Sequence, residues 1–239
     1  MHLAEGVLPA QWSIVWAVPA AAFTAVGVKK LRDRTKEVPN FKALTGLVGA
    51  FVFALSLLPI PVPVAGSVSH PCGTPLAAIL LGPFVSVVIA AITLLFQALF
   101  FAHGGLSTWG ANIVSEGVVG SFVGVGVFLL GRRMGFSLFV AGFLAGLLGD
   151  LAVYAMTALE LALGLFGIAK VGQEWLTLFG AFLPVQGPIA VGEALLTGGA
   201  LAYMAKVRPD ILIALRVLRP ARTGSPADTK LAPSPGVVS

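Results

Sequence analysis

Long apolar stretches, separated by short polar segments, make up most of the first 205 residues of this chain. The stretches are rich in Ala, Leu, Gly and Val, and they lack the strict alternation of apolar and polar positions that a half-buried strand shows. A helix that crosses a bilayer needs about 20 apolar residues. The pattern therefore predicts an all-α integral membrane protein of about seven transmembrane helices, one of them short, rather than a β-barrel.

The breaks between apolar runs place the individual spans. A short helix is expected over residues 75–81, before a turn at Gly82-Pro83. Seven residues rise only about 10 Å, so this helix cannot cross a bilayer alone. Whether it crosses or is re-entrant stays open, but the loop that carries His70 must dip into the protein, where irregular backbone can find partners. The full spans are expected over 12–28, 43–58, 84–101, 113–131, 137–163 and 182–204.

Charged residues make up 10% of the chain, and the net charge is +5. A soluble domain carries about 25% charged residues. Apart from Lys170, the basic residues lie in the predicted loop 29–42, at Arg132-Arg133 and after residue 205. Basic loops face the cytoplasm, so the N-terminus and the His70 loop are predicted to be outside and the C-terminus inside. Topology explains the positive charge, and no nucleic-acid partner is indicated.

The domain organisation follows from these assignments. Residues 1–205 are predicted to form one transmembrane domain, and residues 206–239 a basic cytoplasmic tail that is disordered, since its end is rich in Pro, Ser and Ala. The protein is expected in the inner (plasma) membrane as a multi-pass protein. A charged segment before the first apolar run is missing, so no signal peptide is predicted and Met1 is expected to remain the terminus.

The first two residues offer a metal chelate. The Met1 amine, the His2 backbone nitrogen and His2 Nδ1 can face one ion, and the His70 imidazole would complete four nitrogens in a plane. Such a tetragonal nitrogen set suits Ni²⁺ or Cu²⁺ and, by extension, Co²⁺. The alternative is that His2 is a solvated residue of an unstructured terminus. Cys72, the single cysteine, is either a soft ligand beside His70 or a bystander thiol.

Ionisable residues within membrane spans are candidates for function. They support two interpretations, a proton relay or polar packing between helices. Glu116 is expected near the outer end of its span, in the headgroup region, whereas Asp150 and Glu193 are expected mid-span. The candidates are Glu116, Asp150, Glu160 and Glu193.

The remaining polar candidates point away from catalysis. His103 is either a ligand or a helix-terminal residue that meets the last carbonyls, and Asn112 is expected to cap the fifth helix. Ser67 and Ser69 are not set in a Gly-x-Ser-x-Gly turn, so a serine hydrolase is not expected. A Walker motif is also missing from the sequence, so the chain is not predicted to be an enzyme and any ATP hydrolysis would belong to a partner.

Several short motifs follow one another along the chain, and Glu193 comes after the last of them. The motifs are Met1-His-Leu-Ala-Glu-Gly-Val-Leu-Pro9, Gly66-Ser-Val-Ser-His-Pro-Cys-Gly-Thr74, Leu81-Gly-Pro83, Ala102-His-Gly-Gly-Leu106, Gly149-Asp150 and Gln186-Gly-Pro188. With these motifs the chain resembles the CbiM/NikM family, the substrate-binding membrane subunits of cobalt and nickel energy-coupling-factor transporters. The resemblance covers roughly residues 1–205.

The resemblance implies a function and a set of partners. It implies that Met1, His2 and His70 bind Co²⁺ or Ni²⁺, with the N-terminal segment inserted into the helix bundle. It also implies a transmembrane T subunit, cytoplasmic ATPases and a small accessory membrane protein, and no catalytic cofactor. The chain departs from the family at Cys72, which replaces Thr, at Glu116, which replaces Met, and at Glu160, which replaces Gln.

Two questions stay open at the level of sequence. Co²⁺ and Ni²⁺ accept the same ligands, so the residues do not separate them. A different class of protein, a stand-alone proton-coupled secondary metal transporter or channel, would use Asp150 and Glu193 as its proton-carrying groups.

Overall fold

Helices make up nearly all of the backbone in this computed structural model, which describes residues 2–58, 60–61 and 68–218. Two short antiparallel strands, with Ile60 opposite Ser69, lead into the His70 segment. In chain order the elements are α1 (Ala10–Glu37), α2 (Phe41–Ser56), β1 (Ile60–Pro61), β2 (Val68–Ser69), α3 (Thr74–Leu81), α4 (Pro83–Phe100), α5 (Trp109–Asn112), a π-helical segment (Ile113–Val119), α6 (Gly120–Arg133), α7 (Leu138–Phe166), a 3₁₀ turn (Ile168–Lys170), α8 (Val171–Val207) and α9 (Pro209–Ala214).

Five helical segments are long and apolar enough to cross a membrane, which confirms the predicted class of a helical, multi-pass membrane protein. The shorter α2 has 16 residues and α3 has 8. The count of seven spans and the orientation of the termini stay predictions. The five segments are Ala10–Glu37, Pro83–Phe100, Trp109–Arg133, Leu138–Phe166 and Ile168–Val207.

Apolar side chains cover the outer surface of this protein as well as filling much of its interior. Large apolar side chains such as Ile14 (67% exposed) and Leu195 (53% exposed) cover the outer surface. Polar side chains such as Gln97 and Asp150 are fully buried. Hydrocarbon outside and polar groups facing one another inside is the arrangement that a bilayer favours.

Two predicted loops are largely helical. The segment 29–37, expected as part of a cytoplasmic loop, continues α1 because it contains strong helix formers and no Gly or Pro. The helix ends at Glu37, and Val38 is extended because Pro39 disfavours a helical residue before it. Similarly, the expected outer loop 164–177 contains the start of α8 at Val171.

The short helix α3 confirms the prediction for residues 75–81, and all eight of its residues are buried. Glycines on the neighbouring helices let it sit deep in the bundle. A Cβ at Gly124 would lie 2.8 Å from Pro75 Cβ, and one at Gly149 would lie 2.7 Å from Pro75 Cγ. The chain then reverses at Gly82, whose φ of +96° suits glycine. The His70 loop therefore enters the protein interior, as the sequence predicts.

Residues within the predicted tail extend the helical bundle. The helix α8 reaches Val207, and α9 places Leu212 and Leu215 in a buried cluster with Phe41. Residues 219–239 lie outside the described part of the chain, and the division at 205 stays a prediction.

The helices α7 and α8 form the most extensive helix pair, and its close packing can be tested at adjacent glycines. A Cβ at Gly198 would lie 2.6 Å from the Phe139 carbonyl oxygen, whereas one at Gly199 meets nothing within 4 Å. We expect Gly198→Ala to destabilise the protein by about 1–3 kcal/mol through overpacking. Gly199→Ala is the control and should leave thermal unfolding in detergent unchanged or slightly raised. Equal losses for both variants would contradict this packing.

Candidate metal centre

Three buried imidazoles meet in the interior of the bundle, and they are the only histidines in the sequence. The Nε2 atoms of His2 and His70 lie 2.9 Å apart. The His103 ring centroid lies 4.5 Å from that of His2 and 5.3 Å from that of His70. Each ring can offer one nitrogen to a common point, since these nitrogens all lie within 4.8 Å of one another. The three residues form the candidate metal centre, which we call the histidine centre.

A carbonyl beside it orients the His70 ring. His70 Nδ1 lies 2.9 Å from the Pro71 carbonyl oxygen. A carbonyl only accepts hydrogen bonds, so Nδ1 carries the proton and Nε2, which faces His2, keeps its lone pair. This is the tautomer that a metal-binding imidazole requires.

The N-terminal segment is held in the bundle through the backbone of Leu3. The Leu3 N–H donates to Asn112 Oδ1 at 2.8 Å, and the Asn112 amide donates back to the Leu3 carbonyl at 3.2 Å. The Thr108 hydroxyl donates to the same carbonyl at 2.7 Å. Asn112 therefore does not cap a helix as predicted, because the helical segment already begins at Trp109. Its carboxamide instead fixes residue 3, which places His2 against His70.

The double glycine after His103 makes room for this segment. A Cβ at Gly105 would lie 2.5 Å from Glu5 Cα, and one at Gly104 would lie 3.3 Å from His2 Cβ. Gly104 also has φ of +81°, a conformation that side-chain-bearing residues rarely adopt. The His-Gly-Gly motif thus brings its own imidazole to the centre and lets the N-terminal backbone approach.

Carboxylates beneath the centre hold the His70 loop. Glu193 accepts hydrogen bonds from the backbone N–H groups of Cys72, at 2.6 Å, and Gly73, at 2.8 Å. The Cys72 thiol donates to Asp150 at 3.3 Å. Two orphan N–H groups at the start of α3 are therefore satisfied by one carboxylate that is itself buried.

A second set of side chains extends this support. Gln186 donates to Asp150 and accepts a hydrogen bond from the Ser69 hydroxyl. The Ser69 and Tyr154 hydroxyl oxygens are also hydrogen-bonded, at 2.7 Å. The polar side chains in this network come from β2, the His70 loop that follows it, α7 and α8. Cys72, Asp150 and Glu193 lie close enough to hold a metal, but these contacts already occupy them in positioning the loop.

The structure brings most of the sequence candidates to one place. His2 and His70 are in contact, and Met1, the third predicted ligand, lies outside the described residues, as does Ser67. Asp150 and Glu193 lie next to the His70 loop, and their contacts give both acids a structural reason without a proton relay. His103 belongs to the centre, and the motif Ala-His-Gly-Gly was the sequence signal for it.

Glu116 lies in the protein interior, beside the histidine centre. Its side chain is fully buried, and Oε2 lies 3.5 Å from His2 Nδ1. The helical segment begins at Trp109, about two turns before Glu116, and the placement of Glu116 in the headgroup region stays a prediction. Glu160 is also fully buried.

Burial sets the protonation of the imidazoles. It lowers the pKa of His2 and His70 well below the ordinary value of 6.5, and lowers that of His103 to about 4. The cost of a charge in a dry interior is the cause. At neutral pH the rings are therefore neutral, which is the form that binds metal ions.

Fold and centre together define a class of protein. It is a multi-pass helical membrane protein that inserts its own N-terminal segment into the bundle and encloses three neutral imidazoles there. Neutral nitrogen donors in a buried cluster select borderline transition-metal ions over Mg²⁺ and Ca²⁺, which prefer oxygen.

The chain belongs to the CbiM family. The family model described as a cobalt uptake substrate-specific transmembrane region matches residues 2–211. A cobalt transport protein CbiM of Sorangium cellulosum is 50% identical over 219 residues, covering 92% of this chain and 97% of the relative. A putative cobalt transport protein CbiM of Methanocaldococcus jannaschii is 43% identical, covering 95% of this chain and 99% of the relative.

The fold is also shared with solved structures. A crystal structure described as a transition metal transporter superposes with a TM-score of 0.76 at 28% identity, covering 87% of this chain and 93% of the other. A truncated form superposes with the same TM-score at 26% identity, over 86% of this chain and 99% of the other. The chain is therefore a membrane component of a metal transporter family.

The close approach at Gly105 can be tested directly. In Gly105→Ala the new methyl would overlap the Glu5 backbone and push residues 2–9 out of the bundle. We expect faster hydrogen–deuterium exchange in that segment, because the hydrogen bonds of Leu3 open more often. Gly126→Ala, where a Cβ meets nothing within 4 Å, is the matched control. Unchanged exchange in Gly105→Ala would contradict the packing of the N-terminal segment described above.

Proposed function

We propose that this protein captures Co²⁺ at the histidine centre, as the substrate-binding membrane subunit of an energy-coupling-factor importer. The contact between the Nε2 atoms of His2 and His70 carries the proposal, because two buried neutral imidazoles meet where the chain begins. The names of the relatives favour cobalt, and Ni²⁺ is the competing cargo because it accepts the same donors.

The proposed ligands are the Met1 amine, the His2 backbone nitrogen, His2 Nδ1 and His70 Nε2. In the structure the ring edge of His2 that carries Nε2 faces His70, and Nδ1 is on the other edge. A half-turn of the ring about Cβ–Cγ keeps its outline and puts Nδ1 on the edge that faces His70. This torsion has a broad two-fold preference, so the half-turn is a small change.

Such a set of donors fits the transport of a hydrated dication. Four nitrogens replace water ligands, and deprotonation of the His2 amide would supply one negative charge. The hydrogen bonds of Leu3 with Asn112 and Thr108, and those of Glu193 with the His70 loop, hold the segments that carry His2 and His70 before the ion arrives, which lowers the entropic cost of binding.

The proposed partners follow from the resemblance and from the chain itself. The sequence contains no Walker motif, so ATP hydrolysis is assigned to cytoplasmic ATPases, with a transmembrane T subunit between them and this chain. A small accessory membrane protein completes the proposed complex. The protein itself is proposed to have no catalytic activity.

Adding one residue before Met1 tests the role of the free amine. The added residue moves the amine away from His2 and breaks the fused chelate rings, although both histidines remain. We expect the affinity for Co²⁺, measured by calorimetry in detergent, to fall by more than about 100-fold. One residue added after Ser239 is the control and should leave affinity unchanged. Full binding by the N-terminally extended protein would contradict the chelate.

Alanine substitutions separate the roles of His70 and His103. His70→Ala removes a proposed ligand and should abolish tight binding of Co²⁺ and Ni²⁺. His103→Ala removes a neighbouring ring that completes no part of the planar set, so binding should persist. The same titrations measure this, and the opposite order of effects would move the ligand set toward His103.

Uptake by the chain alone distinguishes the competing class of protein. A proton-coupled transporter would fill proteoliposomes with Co²⁺ without an ATPase partner, whereas a substrate-capture subunit requires its partners. We expect binding but no concentrative uptake in vesicles that contain only this chain. Uptake that is driven by a pH gradient and lost in Asp150→Asn would contradict the proposal.

A further inference from the structure

A third buried acid, apart from the two that hold the His70 loop, lies beside the histidine centre. Glu116 Oε2 is 3.5 Å from His2 Nδ1, and neither side chain is exposed. Among the carboxylates that the structure describes, Glu116 is the one that pairs with a histidine of the centre. It lies on the side of the His2 ring away from His70.

The backbone around Glu116 has an uncommon conformation that sets its direction. Residues Ile113–Val119 form a π-helix between α5 and α6. A π-turn holds one more residue than an α-turn, which rotates the following side chains by roughly 100° about the helix axis. π-Helical segments are rare in proteins, and those that occur often lie at functional sites.

The same residue is tied to the His70 loop through its backbone. The Thr74 hydroxyl donates a hydrogen bond to the Glu116 carbonyl oxygen at 2.9 Å. Thr74 begins α3, directly after the segment that Glu193 holds. The position of Glu116 is therefore coupled to both histidine-bearing segments, through its side chain to His2 and through its carbonyl to the His70 loop.

The shape of an imidazole decides what Glu116 can do. One edge of the ring carries Nε2 and the other carries Nδ1. In the structure the Nε2 edge faces His70 and the Nδ1 edge faces Glu116. After the half-turn that the chelate requires, Nδ1 faces His70 and the Nε2 edge faces Glu116. In either orientation one ring nitrogen is directed to the metal side and the other to the carboxylate.

We propose that Glu116 is a positioning residue for the cargo ion, accepting a hydrogen bond from the His2 ring nitrogen that does not bind the metal. The inference rests on the proposed function. The carboxylate fixes the ring tautomer and places a negative charge one ring away from a dication. Partners of this kind orient metal-binding imidazoles and raise their basicity, and their removal costs about 10- to 100-fold in metal affinity.

Titrations with Co²⁺ and Ni²⁺ test the proposal on the full chain in detergent. Glu116→Gln keeps the size and an acceptor oxygen but removes the charge, and we expect it to bind about tenfold more weakly. Glu116→Met removes the acceptor oxygen as well, and we expect its affinity for both metal ions to fall by nearly 100-fold. Glu160→Gln is the matched control, because Glu160 is equally buried but pairs with none of the three histidines in the described part of the chain. It should bind within about twofold of the unchanged protein.

A second measurement needs no metal. The chain has three histidines, so a nitrogen NMR spectrum of ¹⁵N-histidine-labelled protein contains three rings. Glu116→Met should shift the ring nitrogens of His2 and alter its tautomer balance, while His70 keeps its own. Glu160→Gln should change neither. A role in folding alone would leave the tautomer of His2 unchanged.

The outcomes distinguish a failure of the proposed role of Glu116 from a failure of the proposed capture function. Wild-type affinity in both Glu116 variants, with an unchanged His2 spectrum, would overturn the role of Glu116 while the capture function stands. An equal loss in Glu160→Gln would also overturn it, since any buried acid would then have the same effect. If the unchanged protein bound neither metal, the capture function would fall and the role of Glu116 with it.

Discussion

The protein depends on how an irregular, unpaired stretch of backbone is accommodated inside a membrane bundle. No water is available in the hydrocarbon region to satisfy free N–H groups, so each needs a partner within the protein. Glu193 provides it for the His70 loop by accepting from Cys72 and Gly73, and Asp150 and Gln186 continue the network to Ser69. Without these acceptors the loop could not remain buried, and His70 would not reach the interior.

The N-terminal segment that carries His2 is stabilised in a different way. A chain terminus is normally free, and ordering residues 2–9 costs conformational entropy. The hydrogen bond that Leu3 N–H donates to Asn112, the one that its carbonyl accepts from Thr108, and the burial of Leu3 and Leu8 offset that cost. The glycines after His103 remove the steric obstacle. The N-terminal segment can therefore act as a fixed part of the bundle.

The buried acids differ in what they contact. Glu193 accepts from backbone N–H groups of the loop and Asp150 accepts from the Cys72 thiol, whereas Glu116 lies beside an imidazole. Sequence alone placed all of them in one class of intramembrane acids. In the proposed transport function, Asp150 and Glu193 keep the His70 loop in place, and Glu116 supplies one carboxylate beside the three neutral imidazoles.

The sequence by itself determined the membrane class, the positions of the main apolar helices, the short helix before Gly82-Pro83, and His2 and His70 as partners. These follow from local hydropathy, from proline and glycine chemistry, and from short motifs. Tertiary structure decided the rest. The contact of Glu116 with His2, the hydrogen bonds between Asn112 and Leu3, and the place of His103 beside His2 all depend on contacts between residues far apart in the chain. Hydropathy reports which residues leave water, but not which polar groups meet once inside.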